Sequence, residues 1–499
     1  MKVMLNLSAC IVGSLLAVSA SAAARSTSYL VLLNEAGPAS SSFTNQVSAA
    51  GGTVRVVLDQ IGVAFVESSR PDFRSKLAAG RGIRGVAYSL PVVRNDGLVT
   101  QMPPGLGTTS LGQGEFFYPL QWGLDAVHAP EAWDAGATGV GVRVAVLDSG
   151  IDHDNLDLAP NLNQDLSRTF LPCIYLLNCD SEGFEDWRVS EIGEYYTEPF
   201  FNHGTHVAGT IAAADGGGGG IGVAPEAELV AVKVCTEFGT ACYDEAILPG
   251  IVYAASIGAD LINMSLGGVG ERNPSEICKL IRDLDLGIPC GEVVASFQVI
   301  EQAYRRAFHY ANSRNTTVIL SAGNSALDAD KTGSLKFYFA DFPNVLGISA
   351  LGPVGSALPA VSGTAPTKPI AGPDTLAYYS NYGRSIIDFA APGGNSLLYD
   401  LVTDPWGTIC VKAGVGAPCF FFDMVLSNAP GDEFFFSEGT SMAAPHATGV
   451  AAIIIGLNGG DMTPQQLRTA MKRYSDDLGM RGHDAVFGDG RVNAGAAAQ

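Results

Sequence analysis

Positive charge is scarce in this chain: 29 Lys+Arg stand against 50 Asp+Glu, for a formal net charge of −21. A surface of that sign repels phosphodiester backbones and anionic lipid, which argues against nucleic acid as a partner. Charged residues of either sign amount to only 16%, while hydrophobic residues reach 47%. That balance excludes a disordered chain. No segment reads as a membrane span. No unit recurs every 20–50 residues, which excludes a solenoid, and the C-x-x-C pairs of structural zinc sites are absent.

What the chain does have is length, 499 residues, and abundant glycine, 60 residues. It can bury a large core with room for more than one domain. Residues 1–24, MKVMLNLSACIVGSLLAVSASAAA, carry one Lys, an apolar run from Ala9 to Val18, then small residues. This reads as a secretory signal peptide with cleavage after Ala22 or Ala24. Export to an extracellular or periplasmic space is therefore expected. Nine cysteines are present, and Cys10 lies in that leader. The others fall into neighbouring couples, Cys173/Cys179, Cys235/Cys242, Cys278/Cys290 and Cys410/Cys419. Eight cysteines allow 105 pairings. The local ones are simplest, each closing a loop worth about 2–3 kcal/mol in an oxidising compartment.

Residues 25–114 read as a small α+β unit: YLVLL, VRVVL and VAFVES alternate like strands, DFRSKLAAG suits a helix, and VVRND suits another strand. Gln101 to Gly114 is rich in Gly, Pro and Ser and reads as an exposed linker open to proteolysis. From residue 115 to 499 the pattern changes. VRVAVLD, AELVAVKVC, ADLINMSL, TTVILSAGN, NVLGISAL and SIIDFAAPG are near-continuously apolar, and helical segments such as THVAGTIAAA and SFQVIEQAYRRAFHYANSR lie between them. This predicts an α/β fold, a parallel sheet with helices on both faces. Ligands then belong at the carboxyl ends of the strands.

Those ends carry useful chemistry. Asp148 follows VAVL, Asn324 follows VILSAG, His203 opens HGTHVAGTIAA, and Ser441 opens SMAAPHATGVAAIIIG, where it reads as the cap of a helix. Singly, each has a plain structural explanation as a turn or cap residue. Jointly they supply an alcohol, an imidazole to take its proton, a carboxylate to orient the imidazole, and an amide donor for an oxyanion.

VAVLDSGID, HGTHVAGTIAA and GTSMAAPHATG, in that order, make the chain from about Pro119 to Ala494 resemble a subtilisin-like serine peptidase. The resemblance implies Asp148, His203 and Ser441 as catalytic triad and Asn324 in the oxyanion hole. It implies Ser265, Leu266, Gly267 and Gly268 of NMSLGG as the substrate-binding strand, with the glycines leaving room for a side chain and Ser321–Gly323 forming the other pocket wall. It further implies an amino-terminal inhibitory propeptide, removed by self-processing near residues 105–115, and protein or peptide substrates. No cofactor is required for catalysis. A structural calcium is possible at Asp157, although glycines 216–220 replace the oxygen-bearing side chains of relatives and leave Asp215 as the nearby carboxylate. A monomer is expected.

Rival readings are weaker. His203 and His206 share a helix face but lack further zinc ligands. A G-x-G-x-x-G match at 217–222 follows a helix instead of a strand, against a dinucleotide site. The G-x-S-x-G elbow of esterases is missing. A fold-retaining binding protein would not need every catalytic side chain. Three segments exceed a minimal member: 151–202, 269–296 and 394–436. Each holds one cysteine couple, and the first holds the acidic, aromatic GFEDWRVSEIGEYYTE.

Overall fold

The computed structural model describes residues 26–89, 91–93, 99–101, 116–171, 201–216, 218–236, 241–283, 289–357, 369–401, 406 and 408–499. The leader, most of the expected linker, the Cys173/Cys179 couple and the GFEDWRVSEIGEYYTE stretch lie outside them.

The amino-terminal unit comprises β1 (Thr27–Leu33), α1 (Ser41–Ala50), β2 (Thr53–Leu58), β3 (Val63–Ser68), α2 (Phe73–Ala78) and β4 (Ile83–Tyr88). Its strands form an antiparallel sheet in the order β2-β3-β1-β4. YLVLL is continuously apolar because both of its faces are covered. Tyr29 and Val31 pack under Phe43, Val47, Phe73 and Leu77 of the unit's own helices. Leu30 and Leu32, one residue out of phase, join the core of the larger unit.

That larger unit contains β5 (Arg143–Asp148), β6 (Arg168–Thr169), α3 (His203–Ala212), β7 (Glu228–Lys233), α4 (Asp244–Ser256), β8 (Leu261–Met264), β9 (Gly268–Glu271), α5 (Cys290–Ser313), β10 (Thr317–Ser321), β11 (Leu335–Tyr338), β12 (Val345–Leu351), β13 (Phe389–Pro392), β14 (Val425–Ala429), β15 (Glu433–Ser437) and α6 (Thr440–Leu457). Seven strands make one sheet in the order β13-β12-β10-β8-β5-β7-β6, all neighbours parallel. Alternate residues divide between its faces. Val144, Val146, Leu229 and Ala231 face α3 and α6. Ala145, Leu147, Val230 and Val232 face α4 and α5. This is the two-sided cover that the unbroken apolar strands required. Among the described residues one helix, α6, is long and apolar enough to cross a membrane, and it lies buried in this core.

The amino-terminal sheet docks on α5. Arg306 donates to the carbonyls of Leu33 and Ile61, both at 3.0 Å, and Tyr88 donates to the Glu292 carboxylate at 2.8 Å. Two short stretches then pair with the larger unit. Pro91–Val93 lies antiparallel to Ala241–Tyr243, and Val99–Gln101 lies antiparallel to β15. Cys235–Cys242, Cys278–Cys290 and Cys410–Cys419 are bonded as local couples.

Candidate active site

Asp148 is the last residue of β5, and the sheet delivers it, 1% exposed, to the start of α3. α3 begins where it does because the Asn202 side chain accepts from Thr205 N–H at 2.9 Å, an N-cap that places His203 in the first turn. Gly204 follows because a Cβ there would stand 2.2 Å from the Gly150 carbonyl. This close approach brings the His203 Nδ1 to 2.9 and 2.8 Å from the two Asp148 oxygens. Asp148 Oδ1 also accepts from Ser149 N–H at 2.7 Å, so the carboxylate is held from a second direction.

Ser441 lies on α6, 6% exposed. The helix differs from expectation here. Gly439, at φ +153°, is its N-cap, and Ser441 is the second helical residue with no capping role. Its hydroxyl is thereby left for other contacts and donates to the Ser265 carbonyl at 3.3 Å. The backbone amide of Ser441 belongs to the helix's first turn, where N–H groups lack intrahelical acceptors and the dipole favours negative charge.

Asn324 follows β10. Its Oδ1 accepts from Thr440 N–H at 2.8 Å and from the Thr440 hydroxyl at 2.7 Å. The same hydroxyl accepts from Gly323 N–H at 2.9 Å. With Oδ1 so occupied, Nδ2 points the other way, 3.2 Å from where a Cβ on Gly439 would be. A donor therefore lies beside the turn that carries Ser441.

Ser265 and Leu266 are buried at the end of β8. Ser265 Oγ donates to the Ser441 carbonyl at 2.8 Å and accepts from Asn263 Nδ2 at 3.1 Å, and Asn263 Oδ1 accepts from Thr448 at 2.8 Å. Gly267 does not leave room for a substrate side chain. At φ +156° its missing Cβ makes way for the Tyr338 carbonyl, 2.3 Å from the position a Cβ would take. Gly268 opens β9, which pairs with β11. On the opposite side, Gly323 abuts the Asn381 amide.

His206 is fully buried. Its Nε2 lies 3.0 Å from the Phe435 carbonyl, and burial, then the charge of His203, push its pKa down to about 3. Among the described residues no group of three His, Cys, Asp or Glu side chains is placed to hold a metal. The residues around Asp157 do not fit calcium. Its carboxylate accepts from Gly218 N–H, from Gly220 N–H at 3.2 Å and from Asn428 Nδ2 at 2.7 Å. Three N–H donors fill the lone pairs a cation would need, where calcium calls for six to eight oxygens. The glycines that looked like lost ligands are what lets backbone amides reach this carboxylate. Burial raises its pKa, and those donors oppose the shift.

Sequence reasoning missed Thr440, Asn263 and Thr448, whose roles depend on pairing across the sheet. It also missed Glu438, buried at 1%, which accepts from Ser396 N–H at 2.6 Å, Ser396 Oγ at 2.8 Å and Tyr378 OH at 2.9 Å. A buried acid three residues before the GTS serine was the available clue.

The parallel sheet with two-sided helices and its small antiparallel companion define a subtilisin-like fold. The chain belongs to the Subtilase family, whose profile matches residues 139–490, and it is a serine-type endopeptidase of that class. It is 30% identical over 378 residues to the M-protease of Shouchella clausii, covering 76% of this chain and 70% of that one. It is 29% identical to Subtilisin Savinase of Lederbergia lenta, covering 76% and 98%. The epidermin leader peptide processing serine protease of Staphylococcus aureus shares the fold, with a TM-score of 0.70 at 18% identity over 95% of this chain and 98% of that one. So does fervidolysin of Fervidobacterium pennivorans, a keratinolytic enzyme, with a TM-score of 0.62 at 23% identity over 95% and 61%.

Proposed function

We propose that the protein is a secreted endopeptidase, made as a self-processed precursor, in which Asp148, His203 and Ser441 form the catalytic triad and Asn324 lines the oxyanion hole. The observation that carries this reading is the His203 Nδ1 contact with both Asp148 oxygens, at 2.9 and 2.8 Å, in a buried pair. With Nδ1 held by the carboxylate, proton transfer falls to Nε2.

In this reading the Ser441 hydroxyl gives its proton to His203 while Oγ bonds to the substrate carbonyl carbon. The C=O pair moves onto oxygen, where Asn324 Nδ2 and the helix amide donate to it. Collapse breaks the C–N bond, and the imidazolium returns its proton to the leaving amine. Water, deprotonated in turn by His203, then releases the acyl half and restores Ser441. Asp148 remains ionised throughout and stabilises the imidazolium.

The amino-terminal unit acts as the inhibitory propeptide. Its dock on α5 and the strand at Val99–Gln101 support this, since the latter ties the unit's exit to the turn before Ser441. The cut that frees it falls near residues 105–115. Expression of wild type and Ser441→Ala, followed by sequencing of the termini, tests the proposal. Self-processing gives a shortened wild type and an uncut variant. An organophosphonate should label only the wild type, and a cut Ser441→Ala chain in pure preparations would refute self-processing.

A further inference from the structure

The turn from β15 into α6 is built against the end of β13. Gly439, the N-cap of α6, donates its N–H to the Gly393 carbonyl at 2.9 Å. A Cβ on Gly393 would stand 2.7 Å from the Gly439 carbonyl oxygen, so the two backbones meet with no room for a side chain between them. The Tyr379 hydroxyl lies 2.8 and 2.7 Å from the Gly393 and Gly394 carbonyls and fixes the β13 side of this contact.

Glu438 fixes the other side. Gly394, at φ +86°, lies under it, where a Cβ would stand 3.1 Å from the Glu438 Cβ. Across that gap Glu438 Oε2 accepts from Ser396 N–H at 2.6 Å, and Oε1 accepts from the Ser396 hydroxyl at 2.8 Å and the Tyr378 hydroxyl at 2.9 Å. Ser396 stands at the start of the 394–436 insertion and Glu438 just past its end, so one side chain closes the excursion on itself. Taking a carboxylate out of water is costly unless donors meet it, and a neutral acceptor would close the same gap at lower cost. Bonds to an ionised acceptor, however, are shorter and about twice as strong as neutral ones. Burial, then the Glu438 charge, raise the Tyr378 pKa and keep its phenol a donor. The clamp is therefore stiff, and the next residues along the chain are the Gly439 cap, Thr440 and Ser441.

We propose that Glu438 is a positioning residue for acylation: its carboxylate fixes the Gly439 turn on Ser396 and Tyr378, and so sets where the Ser441 hydroxyl and the first amides of α6 stand. It acts on rate through Ser441 and leaves substrate binding alone. This rests on Ser441 being the nucleophile, and the test separates the two. The full chain is matured by its own cut, or for slow variants by trace tagged wild type that is then removed. Active sites are titrated with an organophosphonate. Both kcat and KM are then measured on an acyl p-nitroanilide, where acylation limits turnover.

Moving a reacting group by about 1 Å costs about 10²-fold in rate. Glu438→Ala should therefore lower kcat per titrated site about 10- to 100-fold, with KM within about twofold of wild type. Glu438→Gln keeps an oxygen for the two hydroxyls but meets the Ser396 N–H with an N–H of its own, and should lose about three- to tenfold. Wild-type kcat per titrated site in Glu438→Ala overturns the proposal, even with a lowered melting temperature, as does a loss carried by KM. If Glu438→Ala does not fold, Glu438→Gln decides by the same readout. A wild type that neither takes the label nor cleaves the anilide removes the Ser441 assignment, and this proposal with it.

Discussion

Thr440 offers a sharp test of how the oxyanion donor is held. Its hydroxyl accepts from Gly323 N–H at 2.9 Å and donates to Asn324 Oδ1 at 2.7 Å. Thr440→Val keeps the branched shape and removes both bonds. A part-buried N–H without a partner costs about 1–3 kcal/mol of stability, so the melting temperature should fall by several degrees. The catalytic cost is separate. The Thr440 N–H still holds Asn324 Oδ1 at 2.8 Å, so the amide keeps part of its aim and turnover should fall about tenfold. Asn324→Ala removes the donor outright, which costs about 10²–10³ in turnover, a figure measured in a subtilisin and so not independent of this family. The double variant should be no slower than Asn324→Ala within about threefold, because Thr440 acts on the chemistry only through Asn324. The assay is kcat on a short peptide anilide, normalised to titrated active sites. Costs that multiply in the double variant, to about 10³–10⁴, would refute the reasoning and give Thr440 a direct role.

Asp148→Asn should leave the fold intact and lower kcat about 10⁴-fold, the scale seen for this change in a serine peptidase of another fold, since an amide favours the wrong imidazole tautomer. A loss under tenfold would contradict the orienting role. Asp157→Asn removes the anionic acceptor from three N–H donors and should cost about 2–4 kcal/mol, with the same drop in melting temperature in calcium and in chelator. A drop confined to calcium-containing buffer would show that a cation binds there after all. Acid should destabilise the protein. Burial lowers His206 to about 3 and His446 to about 4 from the ordinary histidine value of 6.5, while burial raises Asp423 to about 6. Between about pH 6 and pH 4 the unfolded chain holds roughly two histidine protons that the native state lacks, and the native state holds about one at Asp423 that the unfolded chain lacks. From these three groups the net excess of about one proton contributes a fall in stability of roughly 1.4 kcal/mol per pH unit as pH drops, which the raised carboxyls of Asp157, Asp260 and Asp388 oppose. Denaturant titrations of Ser441→Ala at pH 4 to 7 check this, and midpoints that rise toward pH 4 would refute it.

The parallel sheet was legible because each of its strands is buried on both faces, which writes an unbroken apolar run such as VRVAVLD into the sequence. The positions of Asp148 at the end of β5 and of His203 and Ser441 in the first turns of α3 and α6 were legible because each lies in a long motif that closes or opens an apolar element. Less was legible where spacing along the chain carries no information. Thr440 looks like an unremarkable helix-start residue until β10 brings Asn324 against it. The run at 216–220 read as depleted calcium ligands because side-chain chemistry was visible and backbone N–H direction was not. Gly267 read as open space, yet that space is filled by a carbonyl on β11, distant in sequence. VVRND read as a strand of the first unit, but the strand described there, Pro91–Val93, has its hydrogen-bond partner far along the chain, at Ala241–Tyr243.

The bonds from Thr448 to Asn263 to Ser265 to the Ser441 carbonyl have a consequence for rigidity. An apolar helix packed only on apolar strands could rotate or slide by a residue at small cost, since one methyl group serves nearly as well as another. Here any such slip would strand several polar atoms in a dry interior, at about 1–3 kcal/mol apiece. The alcohol is kept in place less by what attracts it than by how unfavourable every neighbouring register would be.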